Sequence, residues 1–389
     1  MPNRVAIVGI GQTHHAGHRY DVSFEELFNE ATRAALEDAQ LTVKDIDAAI
    51  VSNMDPFDGR GCVDTILVGE SGAYLKSGVK PQTGGTTGGT SFSVAWTYAA
   101  SGLFDTVLVV SGEKQEECGG DSQSVIMTAV DELTLRPFYT GALGGLAMRA
   151  SRYIAETGCP EEIAALERVI MDENALANPY AHLRLGITVE DVLKSPMLIY
   201  PVRLLHMSPQ SNGSTALVLA SEEKAKRITD KPVWIRDVVT VHQSGFIRFL
   251  SGLSPDPSSH IVAAKKLYER NGITKPMEEI DLFEMYDPCI WEQIIWMEDF
   301  LLLEKGTAPK LIEKGVTRRD GAFPICPSGG VVCTNDIGAT ALTRVAEAAL
   351  QTRGDAGEHQ VTKEVNLAMA SAWGAANWTV LSLLSKAID

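Results

Sequence analysis

Short apolar, β-branched runs alternate along the chain with stretches in which apolar residues recur every three or four positions. Val5–Gly11 is such a run, Ser23–Leu41 carries Leu27, Ala31, Ala34 and Ala35 at helical spacing, and Ala48–Ser52 is apolar again, which predicts β-α-β. Gln82–Thr90 is a turn rich in glycine and threonine that feeds a small-residue helix over Ser91–Gly102 and a strand over Asp105–Ser111. From Gly112 to about Arg203 the pattern is irregular, with helical stretches at Gly144–Thr157 and Glu161–Asn174, and reads as an insertion of the kind that carries a lid or a binding surface. Strands over Ser214–Ala220 and Val233–Val241 close a first half.

The second half opens with a helix near Ile261–Asn271. A buried strand, Ile280–Met285, then runs into Tyr286-Asp287-Pro288-Cys289 and a helix over Ile290–Leu303. Asp is a good helix cap and Pro suits the first helical position, which puts Cys289 in the first turn. Pro327–Gly330 precedes a helix opening near Asn335–Gly338 and running through Leu350, and strands over Val365–Ser371 and Thr379–Leu384 finish the chain. Both halves pair glycine-rich turns with a small-residue helix and end in two apolar strands, which suggests two copies of one α/β unit.

Composition narrows the function. With 34 basic against 50 acidic residues the net charge is −16, so no broad cationic face is expected for nucleic acid or an anionic membrane. No apolar run approaches the ~20 residues of a membrane span, and no signal peptide precedes Val5, so a soluble, cytoplasmic protein is expected. Six scattered cysteines fit free thiols better than a disulfide framework, and without a C-x-x-C pair no metal site is expected in this chain. Gly9–His14 lacks the third glycine of a dinucleotide fingerprint, and Gln82–Thr90 lacks the lysine of a nucleotide-hydrolysing loop.

Several motifs, in order, resemble the thiolase superfamily: Gly84–Thr90 with Ala100–Lys114, Asn212–Ser221, Tyr286–Cys289, and Pro327–Gly330 with Gly338–Thr340. The resemblance implies a thiolase fold of two duplicated β-α-β-α-β-α-β-β halves in five layers (αβαβα), with residues 1–113 and 204–243 as the first half, 114–203 as an inserted loop or lid region, and 244–389 as the second half. It further implies an acyl-CoA substrate, coenzyme A as a co-substrate, and a homodimeric core.

At the family's nucleophilic cysteine, however, stands Gly85, at its histidine Asn335, and within Ser371–Gly374 there is no cysteine. Three readings stay open. In the first, a displaced thiol supports CoA-dependent Claisen cleavage of a 3-oxoacyl-CoA. Cys289 is the leading nucleophile, helped by the positive end of its helix, and Cys333 is held in reserve. Tyr286 and Asn335 are then donors to the reacting oxygen and Asp336 a candidate base. Gly85, Thr86, Ser328, Gly329, Gly330, Gly338, Gly374 and His206 are expected to contact the substrate. In the second, a retro-aldol cleavage of a β-hydroxyacyl-CoA proceeds with no covalent step, as in thiolase-like steroid side-chain aldolases, and Tyr286 aligns with a tyrosine that those enzymes use. In the third, the chain is a silent scaffold.

The start Gly11–His15 and the loop Gly84–Gly88 are most similar to the large subunit of benzoylsuccinyl-CoA thiolase, of anaerobic toluene breakdown, which cleaves 2-benzoylsuccinyl-CoA to benzoyl-CoA and succinyl-CoA. That branch, like the aldolases, implies a small zinc-ribbon/OB-fold partner subunit. Arg136, Arg149, Arg152, Arg184 and Arg203 are the basic residues of the insertion available to a CoA phosphate.

Overall fold

The computed structural model describes residues 3–57, 59–118, 122–128, 141–243, 257–374 and 378–388. Its strands are β1 (Val5–Gln12), β2 (Ala48–Ser52), β3 (Thr106–Lys114), β4 (Met197–Ile199), β5 (Val202–Arg203), β6 (Asn212–Ser221), β7 (Val233–His242), β8 (Leu282–Glu284), β9 (Leu367–Gly374) and β10 (Trp378–Ser385). The longer helices are α1 (Phe24–Asp38), α2 (Thr87–Ala100), α3 (Gly141–Thr157), α4 (Glu161–Leu176), α5 (Ser259–Asn271), α6 (Ile290–Asp299) and α7 (Ile337–Arg353).

β4 and β5 form a small hairpin. The other eight strands join one sheet in the order β2-β3-β6-β1-β7-β10-β9-β8. The order contains a repeat. β2 and β3 are parallel while β3, β6 and β1 pair antiparallel, and β8 and β9 are parallel while β9, β10 and β7 pair antiparallel. The two sets of four meet where β1 runs against β7 through Ala6–Trp234 and Ile7–Val233. By this pairing β7 takes the place in the second set that β1 takes in the first.

Strand β1 is buried on both faces, which is why it reads as an unbroken apolar run. Val5 and Ile7 face the central core, while Ala6 and Val8 face α1. That outer helix is amphipathic and starts with a capping box in which Ser23 and Glu26 each satisfy the other's backbone N–H. Helices α2 and α7 pack together in the middle layer, and α5 covers β7 and β10, completing the αβαβα order. The central contact is close enough to require glycine, since a Cβ on Gly88 would lie 2.6 Å from the Leu342 nitrogen.

One expected helix start shifts. Helix α6 begins at Ile290 with Cys289, in extended conformation, as its capping position. Asp287 does not cap it, because its carboxylate accepts instead from Val331 N at 2.8 Å and Gln293 Nε2 at 2.9 Å. Helix α7 begins at Ile337, within the expected range, with Asp336 as its capping position and no side-chain capping bond. No helix among the described residues is long and apolar enough to cross a membrane.

Candidate active site

A cavity of about 320 Å³ opens where α2 and α7 begin. Its walls come from both copies: Gly84 and Gly85 before α2, Asn335 and Ile337 at the start of α7, Tyr286 and Pro288 after β8, Trp373 and Gly374 at the end of β9, Gln115 after β3, and Met207–Gln210 before β6. Two long helices thus present their positive ends to one small space, where backbone dipoles favour an oxyanion.

The geometry at Gly85 decides what chemistry fits. A Cβ placed there would lie 2.8 Å from the Tyr286 hydroxyl and 2.6 Å from the Trp373 carbonyl oxygen. A cysteine at this position would collide with both, so the tyrosine occupies the space a side-chain nucleophile would need. Tyr286 is only 4% exposed, and its hydroxyl makes no hydrogen bond among the described residues. Burial, reinforced by Asp336 and Asp287, holds its pKa well above the ordinary tyrosine value, so it is a neutral phenol near pH 7. Among the described residues lining the cavity it is the one titratable side chain.

Asn335, also on the wall, is held at several points. Its Nδ2 donates to Ser208 Oγ at 3.0 Å, its Oδ1 accepts from Thr340 Oγ1 at 3.0 Å, and its main-chain oxygen accepts from Gln115 Nε2 at 2.8 Å. The same Thr340 hydroxyl lies 2.9 Å from Asp336 Oδ1, so its one proton is shared between the two acceptors, and Asp336 Oδ2 meets His15 Nε2 at 3.1 Å. Asp336 is fully buried away from the cavity. Burial opposes its ionisation, but His15 and Thr340 overcome this and hold its pKa below the usual carboxylate value. Such a group is a poor base, and His15 is buried against it.

The cavity brings together Tyr286, Asn335, Gly85 and Gly374 of the expected residues. The others lie off its wall. Cys289 is completely buried and its thiol is pushed up to about 12, by burial first and then by Glu292 and Asp287 against two backbone N–H groups. The expected help from the helix end is therefore outweighed by desolvation. Cys333 is equally buried, lies 3.5 Å from Arg168 Nη1, and is pushed up to about 11 by burial. Neither thiol is a ready thiolate.

Ser328–Gly330 wraps protein groups rather than open space. Ser328 Oγ donates to Glu284 Oε2 at 2.7 Å and accepts from Arg344, and a Cβ on Gly330 would lie 2.7 Å from the Asp287 carboxylate. Gly338 gives its N–H to Glu113 Oε2 at 3.1 Å, and Thr86 Oγ1 donates to the Thr83 carbonyl at 2.6 Å. His206 is buried, accepts from Arg203 N at 3.2 Å, and is pushed down to about 4 by burial and then Arg203, so it is a neutral packing group. Of the expected phosphate partners, Arg149 is committed to Glu292 and Asp299, Arg152 to Glu156, and Arg203 to Glu161. Arg184 lines a different cavity, and Arg136 lies outside the described residues, as do Ala375 and Ala376.

No sequence motif marks Ser208, Gln115 or Trp373, three polar or aromatic members of the wall. Gln115 follows β3, Ser208 precedes β6 and Trp373 lies near the end of β9, so only the folded topology brings them to one cavity with Tyr286.

Comparison with known proteins follows the same lines. Residues 257–385 match the family described as thiolase C-terminal domain-like. Over 368 residues the chain is 32% identical to an acetyl-CoA acetyltransferase of Methanothermobacter thermautotrophicus, covering 92% of this chain and 93% of that one. The chain belongs to the thiolase superfamily. Within it, similarity extends at 25% identity to the benzoylsuccinyl-CoA thiolase subunit BbsB of Thauera aromatica, over 96% of this chain and 95% of that one. Among solved structures, the Ltp2-ChsH2(DUF35) aldolase superimposes with a TM-score of 0.84 at 23% identity, covering all of this chain and 99% of that one. This thiolase-superfamily chain thus has named thiolase-type acyltransferases as its sequence relatives and shares its fold with an aldolase.

Proposed function

We propose that the chain cleaves a β-hydroxyacyl-CoA by a retro-aldol reaction, without an acyl-enzyme, and that Tyr286 carries the proton. The observation that carries this reading is the hydroxyl of Tyr286 filling the side-chain space at Gly85, in a cavity whose described wall holds no thiol. The bond between the α and β carbons breaks, its electron pair passes to the thioester oxygen as an enolate, and the β-hydroxyl oxygen becomes a carbonyl. One proton moves from that hydroxyl to the α carbon. A single phenol in hydrogen-bond reach of both can accept one proton while giving its own, so nothing is consumed and no residue stays modified. Enolate charge falls between the two helix N-termini, where fixed donors are most effective.

Two acyl-CoA products, as in CoA-dependent cleavage of a 3-oxoacyl-CoA such as 2-benzoylsuccinyl-CoA, are the second reading, supported by the names of the relatives. In this cavity CoA itself would have to supply the attacking sulfur, because the buried thiols do not. A subunit name and a two-component aldolase among the similar proteins support a small second subunit; a homodimeric core and a cytoplasmic location belong to the same proposal. Incubation with a β-hydroxyacyl-CoA, with and without free CoA, separates the routes: the retro-aldol yields a ketone or aldehyde and a shortened acyl-CoA with no CoA consumed, and an absolute requirement for CoA overturns it.

A further inference from the structure

Ser208 lines the cavity together with Tyr286 and Asn335, and its hydroxyl oxygen is engaged by the protein. Asn335 donates to Ser208 Oγ at 3.0 Å, and the other end of that amide is turned away by Thr340, which donates to Asn335 Oδ1 at 3.0 Å. Thr340 is itself anchored on the buried Asp336–His15 pair. A serine oxygen that accepts from the protein keeps its own proton to give. The segment is fixed as well, since Ser208 N donates to the Pro288 carbonyl at 3.0 Å and Asn335 N to Ser211 Oγ at 3.0 Å.

We infer that Ser208 is a second catalytic hydroxyl, donating its hydrogen bond to the thioester oxygen of an acyl-CoA as that oxygen takes up enolate charge, with Asn335 as the residue that positions it. This rests on the reading of the cavity as the place where an acyl-CoA enolate forms. It divides the work between two neutral hydroxyls: Tyr286 moves the proton, and Ser208 holds the charge. It also gives Asn335 a role that needs no direct contact with substrate.

The test is exchange of the α-protons of propionyl-CoA in D2O in the presence of propanal, followed by mass spectrometry, because the reverse aldol passes the α-proton through the Tyr286 phenol to the carbonyl oxygen and consumes no free CoA. Ser208→Ala is expected to slow exchange at saturation by roughly 100-fold, the usual cost of one oxyanion donor, while KM changes less than about threefold. Ser208→Thr, which keeps the hydroxyl, recovers most of the rate. Asn335→Asp is the sharper variant: a carboxylate can only accept, so it draws the serine proton back and lowers the rate as Ser208→Ala does. The double variant Ser208→Ala with Asn335→Asp is no slower than Ser208→Ala alone, since Asn335 acts through the serine. Exchange by Ser208→Ala within about threefold of the wild type, or losses that multiply in the double variant, would overturn the proposal. Wild-type exchange without cleavage of a β-hydroxyacyl-CoA sinks the retro-aldol reading alone, and the Ser208→Ala comparison still decides this one. Absence of exchange from the wild type overturns both.

Discussion

The Tyr286 hydroxyl lies 2.8 Å from the point at which a side-chain carbon on Gly85 would begin. Restoring a cysteine there therefore does not restore a thiolase. Gly85→Cys is expected to be destabilised by overpacking, about 1–3 kcal/mol in thermal or urea unfolding, and to accumulate no acyl adduct by intact mass after incubation with an acyl-CoA. Pairing it with Tyr286→Ala, which vacates the space, relieves part of the destabilisation.

Removing only the phenolic oxygen isolates the chemistry from the packing. Because that oxygen bonds to no described protein group, Tyr286→Phe keeps the wild-type melting temperature, while kcat falls by about 10²–10⁴-fold, the range for one positioned acid or base. Burial raises the folded pKa of Tyr286, so its neutral form persists beyond the ordinary value of ~10. The pH–rate profile is accordingly expected to show no fall from tyrosine ionisation below pH ~10.

The buried thiols are expected to be bystanders. Cys289→Ala should retain kcat and lose about 1 kcal/mol of stability from the vacated volume. In the wild type, alkylation at pH 8 modifies exposed Cys62 and leaves Cys289 and Cys333 untouched, as peptide mapping reads directly.

Stability carries its own pH signature at Glu167, a fully buried carboxyl that accepts from Thr317 at 2.9 Å. Burial pushes its folded pKa up to about 8, against an unfolded value of ~4.3. The folded state thus holds a proton that the unfolded chain releases, so this contribution is complete below pH ~4.3 and is lost as the pH rises toward the folded value. The melting temperature of Glu167→Gln, which cannot ionise, is expected to fall less between pH 5 and pH 8 than that of the wild type.

Much of the fold was legible because its strands are buried on both faces and its glycines are forced by contact. Val5–Gly11 and Asp105–Ser111 announce themselves as apolar runs, and Gly88 marks the packing of α2 on α7. The site was legible only in part. Tyr286 and Asn335 lie on the cavity wall, but Cys289 is fully buried and pairs in an isolated β-bridge with Met207, from a segment some eighty positions away. Asp287 likewise looks like a helix cap until the Ser328–Val331 turn folds around it. Ser208 carries no motif, and its place in one cavity with Tyr286 follows from strand order, which local pattern does not encode.

The most direct test of the central claim is product analysis with a β-hydroxyacyl-CoA and no added CoA, using protein purified with any subunit that remains bound. A carbonyl fragment and a shortened acyl-CoA in equal amounts, lost in Tyr286→Phe and kept in Cys289→Ala, are the predicted result. Turnover only with free CoA, together with an acyl group trapped on a cysteine, would contradict the account.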